Sequence, residues 1–213
     1  MTSKQTSDKE LKGLYAITDQ HLIAEQDFSK NVELALQGGT RIIQYRDKSD
    51  DTGKRINQAK ALCLLCKEYN AISIINDDIE LAKRVDADGV HLGKNDNAIA
   101  IARNVLGKQA IIGISCYNDL NLAIKAEKNN ASYVAFGAMF ASPTKPEADN
   151  ASLETISLAK QQLSIPVCSI GGITTENIQQ LITCGTDMAA VISSLFATVN
   201  IKETANELSK HFN

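Results

Sequence analysis

The stretch Arg41-Ile42-Ile43-Gln44-Tyr45-Arg46-Asp47-Lys48 decides the fold. Its first half is apolar on both faces and β-branched, and its second half turns abruptly polar. A strand with two apolar faces needs cover on both sides, which is the situation of a parallel sheet layered with helices. The same order recurs in Ile111-Ile112-Gly113-Ile114 before Ser115 and in Tyr133-Val134-Ala135-Phe136 before Gly137. Working outward, the apolar runs predict eight strands: Gly13–Asp19, Arg41–Asp47, Ile72–Asp77, Gly89–Leu92, Ile111–Ser115, Tyr133–Gly137, Val167–Gly172 and Met188–Ser193. Between them, apolar residues recur at three and four, as in Val32 to Leu36 and in Ile56, Ala59, Leu62, Cys63 and Cys66, which is helical spacing. Strand and helix in alternation imply right-handed crossovers and a parallel sheet. Eight such units in one chain of 213 residues point to an α/β fold, a single (β/α)8 TIM barrel with outer helices. A doubly wound open sheet is the alternative with the same periodicity.

The chain is long enough to bury a core without staples. Hydrophobic residues at 44% and charged residues at 22% exclude wholesale disorder. No linker or composition break divides it. Residues 1–10 read as a flexible polar tail and 11–213 as one barrel domain. Lys+Arg 22 against Asp+Glu 25 leaves a net charge of −3, which argues against nucleic acid or an anionic membrane as partner. No apolar run approaches the roughly 18 residues of a membrane span, and the first residues lack the apolar stretch of a signal peptide. The five cysteines, 63, 66, 116, 168 and 184, are odd in number and scattered through apolar segments, which is reduced usage. A cytoplasmic location is expected. Cys63-Leu64-Leu65-Cys66 has redox or zinc spacing, but inside a leucine-rich helical segment it reads as two core cysteines on one face.

On such a barrel the chemistry sits where strands end. Alternation places Gln44, Arg46 and Lys48 on one side and Tyr45 and Asp47 on the other. A glutamine and two cations at a barrel mouth suit a phosphate or pyrophosphate; a solvated strand end with a local ion pair is the competing explanation. Asn76-Asp77-Asp78 and His91-Leu92-Gly93-Lys94-Asn95-Asp96 bring carboxylates to consecutive strand ends, an arrangement that suits Mg²⁺. Helix capping by Asp78, and by Asp96 or Asn97, competes with that. His91 has no zinc-like partner spacing and reads as a packed, hydrogen-bonded residue. Ser115 lacks both an activating partner and a G-x-S-x-G elbow, so it reads as a hydrogen-bonding group. The loop Ser142-Pro143-Thr144-Lys145-Pro146 combines hydroxyls, an ammonium and restrained backbone. Gly171-Gly172 after the seventh strand and Ser193 after the eighth lie where many barrels bind phosphate.

These motifs, in this order, resemble the thiamine-phosphate synthase family. The resemblance runs from about Gly13 to Ser194. It implies a TIM-barrel transferase of thiamine biosynthesis that acts on small molecules, and a homo-oligomer is compatible with it. The family couples hydroxymethylpyrimidine diphosphate with a thiazole phosphate, giving thiamine phosphate and pyrophosphate, with Mg²⁺. By resemblance, Gln44, Tyr45, Arg46, Asp47, Lys48, Asn76, Ser115 and Lys145 match the site for the pyrimidine diphosphate. Within that set Arg46, Lys48 and Lys145 carry the catalytic charge. Asp77 and Asp96 match metal ligands, and Ser142, Pro143, Thr144, Gly172, Ile192 and Ser193 match the thiazole-phosphate pocket. Two departures stand out. Lys94 replaces the glutamine usual after His-Leu-Gly, and Ser142 opens a loop that usually begins with threonine. A thiazole tautomerase-like barrel and a noncatalytic phosphate-binding barrel are the rival functions. Neither would need the Gln44, Arg46 and Lys48 set together with the paired acids.

Overall fold

A computed structural model describes residues 10–93, 98–141 and 151–212. The strands are β1 (Gly13–Ile17), β2 (Ile42–Tyr45), β3 (Ile72–Asn76), β4 (Gly89–Leu92), β5 (Ile111–Tyr117), β6 (Tyr133–Phe136), β7 (Val167–Ile170) and β8 (Met188–Val191). Each pairs in parallel with the next, and β8 pairs back onto β1 through Gly13–Met188 and Leu14–Ala189. The sheet is therefore a closed barrel, and the open-sheet alternative is gone.

The closing strands were expected to run one or two residues further at β1, β2, β3, β6, β7 and β8. They stop short because the closing polar residues leave the ladder. Asp77 turns at φ 60°, and Gly171 and Gly172 turn at φ 102° and 64°, conformations that break strand geometry. β5 runs longer than expected, with a register irregularity between Ser115 and Tyr117.

Alternation along each strand divides the core into two layers. Tyr15, Ile17, Ile42, Ile72, Ile74, Tyr133, Ala135, Cys168, Met188 and Ala190 fill the barrel. Leu14, Ala16, Ile43, Tyr45, Ile75, Val90 and Val191 pack outward against the helices. Those helices are α1 (Phe28–Gln37), α2 (Thr52–Glu68), α3 (Ile79–Arg84), α4 (Ala98–Leu106), α5 (Leu120–Lys128), α6 (Leu153–Gln162), α7 (Ile178–Thr183), α8 (Ser193–Phe196) and α9 (Ile201–Ser209).

Their starts are written locally. Asp51, Asp78, Asp119 and Ser152 each accept a backbone N–H of the first helical turn, which satisfies donors that the helix cannot. In α2, Cys66 is buried but Cys63 is only half-buried, so the expectation of two core cysteines holds for one. Neighbours three apart on a helix are offset in angle, and Cys63 falls at the edge of the buried stripe. No helix among the described residues is long and apolar enough to cross a membrane. Of the expected N-terminal tail only Glu10 is described, and it is exposed and outside regular structure.

Candidate active site at the barrel mouth

The loop after β2 is held by the loop after β1. Thr18 Oγ1 accepts the Arg46 N–H at 2.9 Å, and Gln20 Oε1 accepts the Lys48 N–H at 2.6 Å. Asp19 Oδ2 lies 3.5 Å from Arg46 Nη1, a long and part-exposed pair that contributes little. The Arg46 side chain remains 30% exposed, and Lys48 is exposed beside it. This framework fixes the backbone that carries both cations.

Tyr45 and Asp47 do not join them. The Tyr45 ring packs edge-on against Phe28 at 5.8 Å, and its hydroxyl donates to Gln58 Oε1 at 3.2 Å. Asp47 Oδ2 lies 2.8 Å from Lys54 Nζ, with its side chain 2% exposed. Burial opposes the charged carboxylate there, but hydrogen bonds from Lys54 and Ser49 outweigh it and hold the group below the usual range. The side chains of Tyr45 and Asp47, both expected at the substrate site, are thus engaged by Phe28, Gln58 and Lys54. The period of two turns both side chains out of the barrel, where they fasten α2.

Gln44 also lies deeper than expected, 2% exposed. Its side-chain amide donates to the Tyr15 hydroxyl at 2.6 Å. Tyr15 meets the Tyr133 hydroxyl at 2.9 Å. Tyr133 meets His91 Nδ1 at 2.9 Å, and His91 Nε2 meets Ser115 Oγ at 2.9 Å. Five side chains from β2, β1, β6, β4 and β5 thus form one chain across the barrel interior. His91 also stacks on the Tyr133 ring at 5.6 Å. Gly113 makes this possible, because a Cβ there would fall within the Tyr133 ring. His91 is the packed, hydrogen-bonded residue that the sequence suggested. Burial pushes its pKa down to about 4, with the Asp77 charge opposing. The parts of Tyr15 and Tyr133 were missed. The available signal was a tyrosine at an inward position of each strand, since a buried tyrosine hydroxyl needs a partner.

The acidic group after β3 separates into two roles. Asp78 caps α3 by accepting the Leu81 N–H at 2.8 Å and pairs with Arg55 at 2.7 Å. Asp77 stays exposed at the rim, oriented by Asn76 Nδ2 at 2.7 Å. Its own N–H is tied to the His91 carbonyl at 2.9 Å. Asp96 and Lys94 lie outside the described residues. No group of three or more His, Cys, Asp or Glu side chains gathers among the described residues. A hard cation held by one or two carboxylates plus ligand phosphate and water does not need such a group. The exposed Asp77 carboxylate fits that kind of site.

Across the mouth the furnishing is backbone. Gly172 sits at φ 64°, and a Cβ there would lie 2.6 Å from the Phe140 carbonyl oxygen and 2.7 Å from that of Ala141. Asn177 Nδ2 donates to the Gly172 carbonyl at 2.9 Å. Phe140 N donates to the Gly171 carbonyl at 3.1 Å, which docks the chain after β6 on the end of β7. After β8, the N–H groups of Leu195 and Phe196 both return to the Ile192 carbonyl. The N–H groups of Ser193 and Ser194 open α8 and have no acceptor within the helix. Gly172, Ile192 and Ser193 are all half-buried at this end of the barrel. Ser142, Pro143, Thr144 and Lys145 lie outside the described residues.

Comparison with known proteins places this mouth in context. A family model described as "Thiamine monophosphate synthase" matches residues 14–195. A protein named thiamine-phosphate synthase from Nitrosococcus oceani is 50% identical over 202 residues, which cover 95% of this chain and 93% of that protein. One of the same name from Thioalkalivibrio sulfidiphilus is 47% identical over 95% of this chain and 96% of its own length. Among solved structures, the thiamine phosphate pyrophosphorylase from Pyrococcus furiosus superposes with a TM-score of 0.86 at 34% identity, covering 96% of each chain.

Proposed function

The chain belongs to the thiamine monophosphate synthase family, and from that premise we propose how its barrel mouth joins two phosphorylated substrates. The enzyme is a transferase that makes thiamine phosphate. Hydroxymethylpyrimidine diphosphate lies over the ends of β2 to β5. Arg46, Lys48 and Lys145 face its diphosphate, and Asn76 and Ser115 hydrogen-bond it. The thiazole phosphate lies over β7 and β8. There its phosphate meets the N–H groups at Gly172 and Ser193, and Ile192, Ser142, Pro143 and Thr144 complete the binding set that the resemblance implies.

The bond between the pyrimidine methylene and the diphosphate oxygen breaks with both electrons going to oxygen. Negative charge grows on the leaving group, where fixed cations stabilise it without reorganising; one such donor is commonly worth about 3–4 kcal/mol. The thiazole ring nitrogen then gives its lone pair to the methylene carbon. That nitrogen has no proton to lose, so the site needs no general base. Binding both partners in one mouth removes most of the entropic cost of their meeting. Asp77 and Asp96 would hold Mg²⁺, which would supply charge neutralisation at the leaving group.

One observation carries this reading. The same barrel end carries cationic and polar side chains after β2 to β5 and glycine and helix-start backbone after β7 and β8, two constructions that suit two phosphorylated partners. The test is a coupling assay on the purified protein with each substrate, and Mg²⁺, left out in turn. Pyrophosphate and thiamine phosphate are expected only from the complete mixture. No pyrophosphate from the complete mixture overturns the assignment.

A further inference from the structure

The chain of side chains across the barrel has a direction. Gln44 Nε2 can only donate, and it donates to Tyr15 at 2.6 Å. The Tyr15 hydroxyl holds one proton. Among the described residues its other side-chain hydrogen bond is with the Tyr133 hydroxyl at 2.9 Å, so Tyr15 donates to Tyr133. The surrounding inner wall is Ile17, Ile42, Ile72, Ile74, Ala135, Met188 and Cys168; its two sulfurs are only weak acceptors, and the Cys168 thiol donates to the Ser169 carbonyl. An unmade hydrogen bond at such a buried hydroxyl costs about 1–3 kcal/mol. Tyr133 in turn has one proton, and the contact left for it is His91 Nδ1 at 2.9 Å. Nδ1 is then the acceptor, and the imidazole carries its proton on Nε2. That proton goes to Ser115 Oγ, also at 2.9 Å. Ser115 accepts from below, and its own proton is left for whatever sits above it.

We infer that Tyr15, Tyr133 and His91 are positioning residues, a one-way hydrogen-bond wire anchored at Gln44 that fixes Ser115 as a donor toward an anionic substrate. The inference rests on the proposed function for the identity of that anion, the pyrimidine diphosphate. The opposite order would turn the Gln44 carbonyl to Tyr15, place the imidazole proton on Nδ1 and make Ser115 donate inward. Ser115 would then present a lone pair to an oxyanion, which is repulsive. In the order inferred, the serine proton is aimed before the substrate arrives, so no dipole must turn during the reaction. Neighbouring bonds in the wire also polarise one another.

The wire leaves a spectroscopic signature that is independent of turnover. The chain has three histidines, His21, His91 and His211. Long-range proton–nitrogen NMR of the ¹⁵N-histidine protein at neutral pH, with His91 assigned from the His91→Asn spectrum, should show a bare Nδ1 and a protonated Nε2. A proton on Nδ1 overturns the wire, whether or not the protein proves to be a synthase. Kinetics supply a second readout. Tyr133→Phe keeps the ring beside Gly113 and removes one proton. It should lower kcat/KM for the diphosphate substrate about tenfold, the worth of one hydrogen bond. In a Ser115→Ala background it should cost less than about twofold, because coupled groups are not additive. Equal losses in both backgrounds show that Tyr133 does not act through Ser115.

Discussion

The ends of β2 to β5 and the ends of β7 and β8 face the same mouth but are built from different material. The first region is made of side chains: Arg46 and Lys48 on a loop tied to Thr18 and Gln20, Asp77 set by Asn76, and Ser115 over the wire. The second is made of main chain: Gly172 at positive φ against two carbonyls, and the first turn of α8. Side chains bring full charges and can sit beside a metal, which suits a group that gains charge as it leaves. Backbone N–H groups bring partial charges at fixed positions, which suits a phosphate that only has to be held. The difference also sets how each region tolerates change. A side chain can be shortened with the frame left standing, whereas Gly172 has no smaller replacement.

Gly172→Ala should therefore give the largest effect. The new Cβ meets the Phe140 and Ala141 carbonyls, and the left-handed backbone adds roughly 1–2 kcal/mol of strain. Expected are a loss of more than about a hundredfold in kcat/KM for the thiazole substrate and a stability loss of about 2–4 kcal/mol in urea unfolding. Wild-type kinetics in this variant would show that the backbone region is not a phosphate site. Arg46→Gln comes next. It should lower kcat about a hundredfold and leave the urea midpoint unmoved, since its pair with Asp19 is long and part-exposed. A shifted midpoint with unchanged kcat would reverse the roles assigned to the two regions.

The smallest effect concerns pH. Burial holds His91 at about 4 in the folded chain, against 6.5 when exposed. As pH falls below 6.5 the unfolded chain binds the proton first. Stability is thus complete above about pH 6.5 and drains between there and pH 4. Part exposure of the ring limits the loss to about 1–3 kcal/mol. Urea midpoints at pH 7 and pH 5 should differ in the wild type and converge in His91→Asn. An equal pH dependence in both would remove His91 as its source.

Much of this was legible from residue order. The β2 run announced a strand covered on both sides, and its alternation already separated Gln44, Arg46 and Lys48 from Tyr45 and Asp47. The resemblance assigns all five to one substrate, and the structure adds that the Tyr45 and Asp47 side chains pack outward against Phe28, Gln58 and Lys54. Asp78 was readable as a cap, because capping is local: the helix starts at the next residue and the accepted N–H lies three residues on. The two-tyrosine link was not readable. Tyr15 and Tyr133 are 118 positions apart, and no local pattern records a contact made only when β1 and β6 face each other across a closed barrel.

Sequence by itself determined the period of each element, the polar residues that end each strand, and the glycines that let backbone turn or approach. These follow from steric limits and side-chain spacing within a few residues. Closure of β8 onto β1, the depth at which Gln44 sits, and the contacts that link Gln44 to Ser115 through Tyr15, Tyr133 and His91 were decided only by tertiary structure. They depend on which donors and acceptors a folded interior brings within 3 Å of one another, and on the absence of water there to substitute for a missing partner.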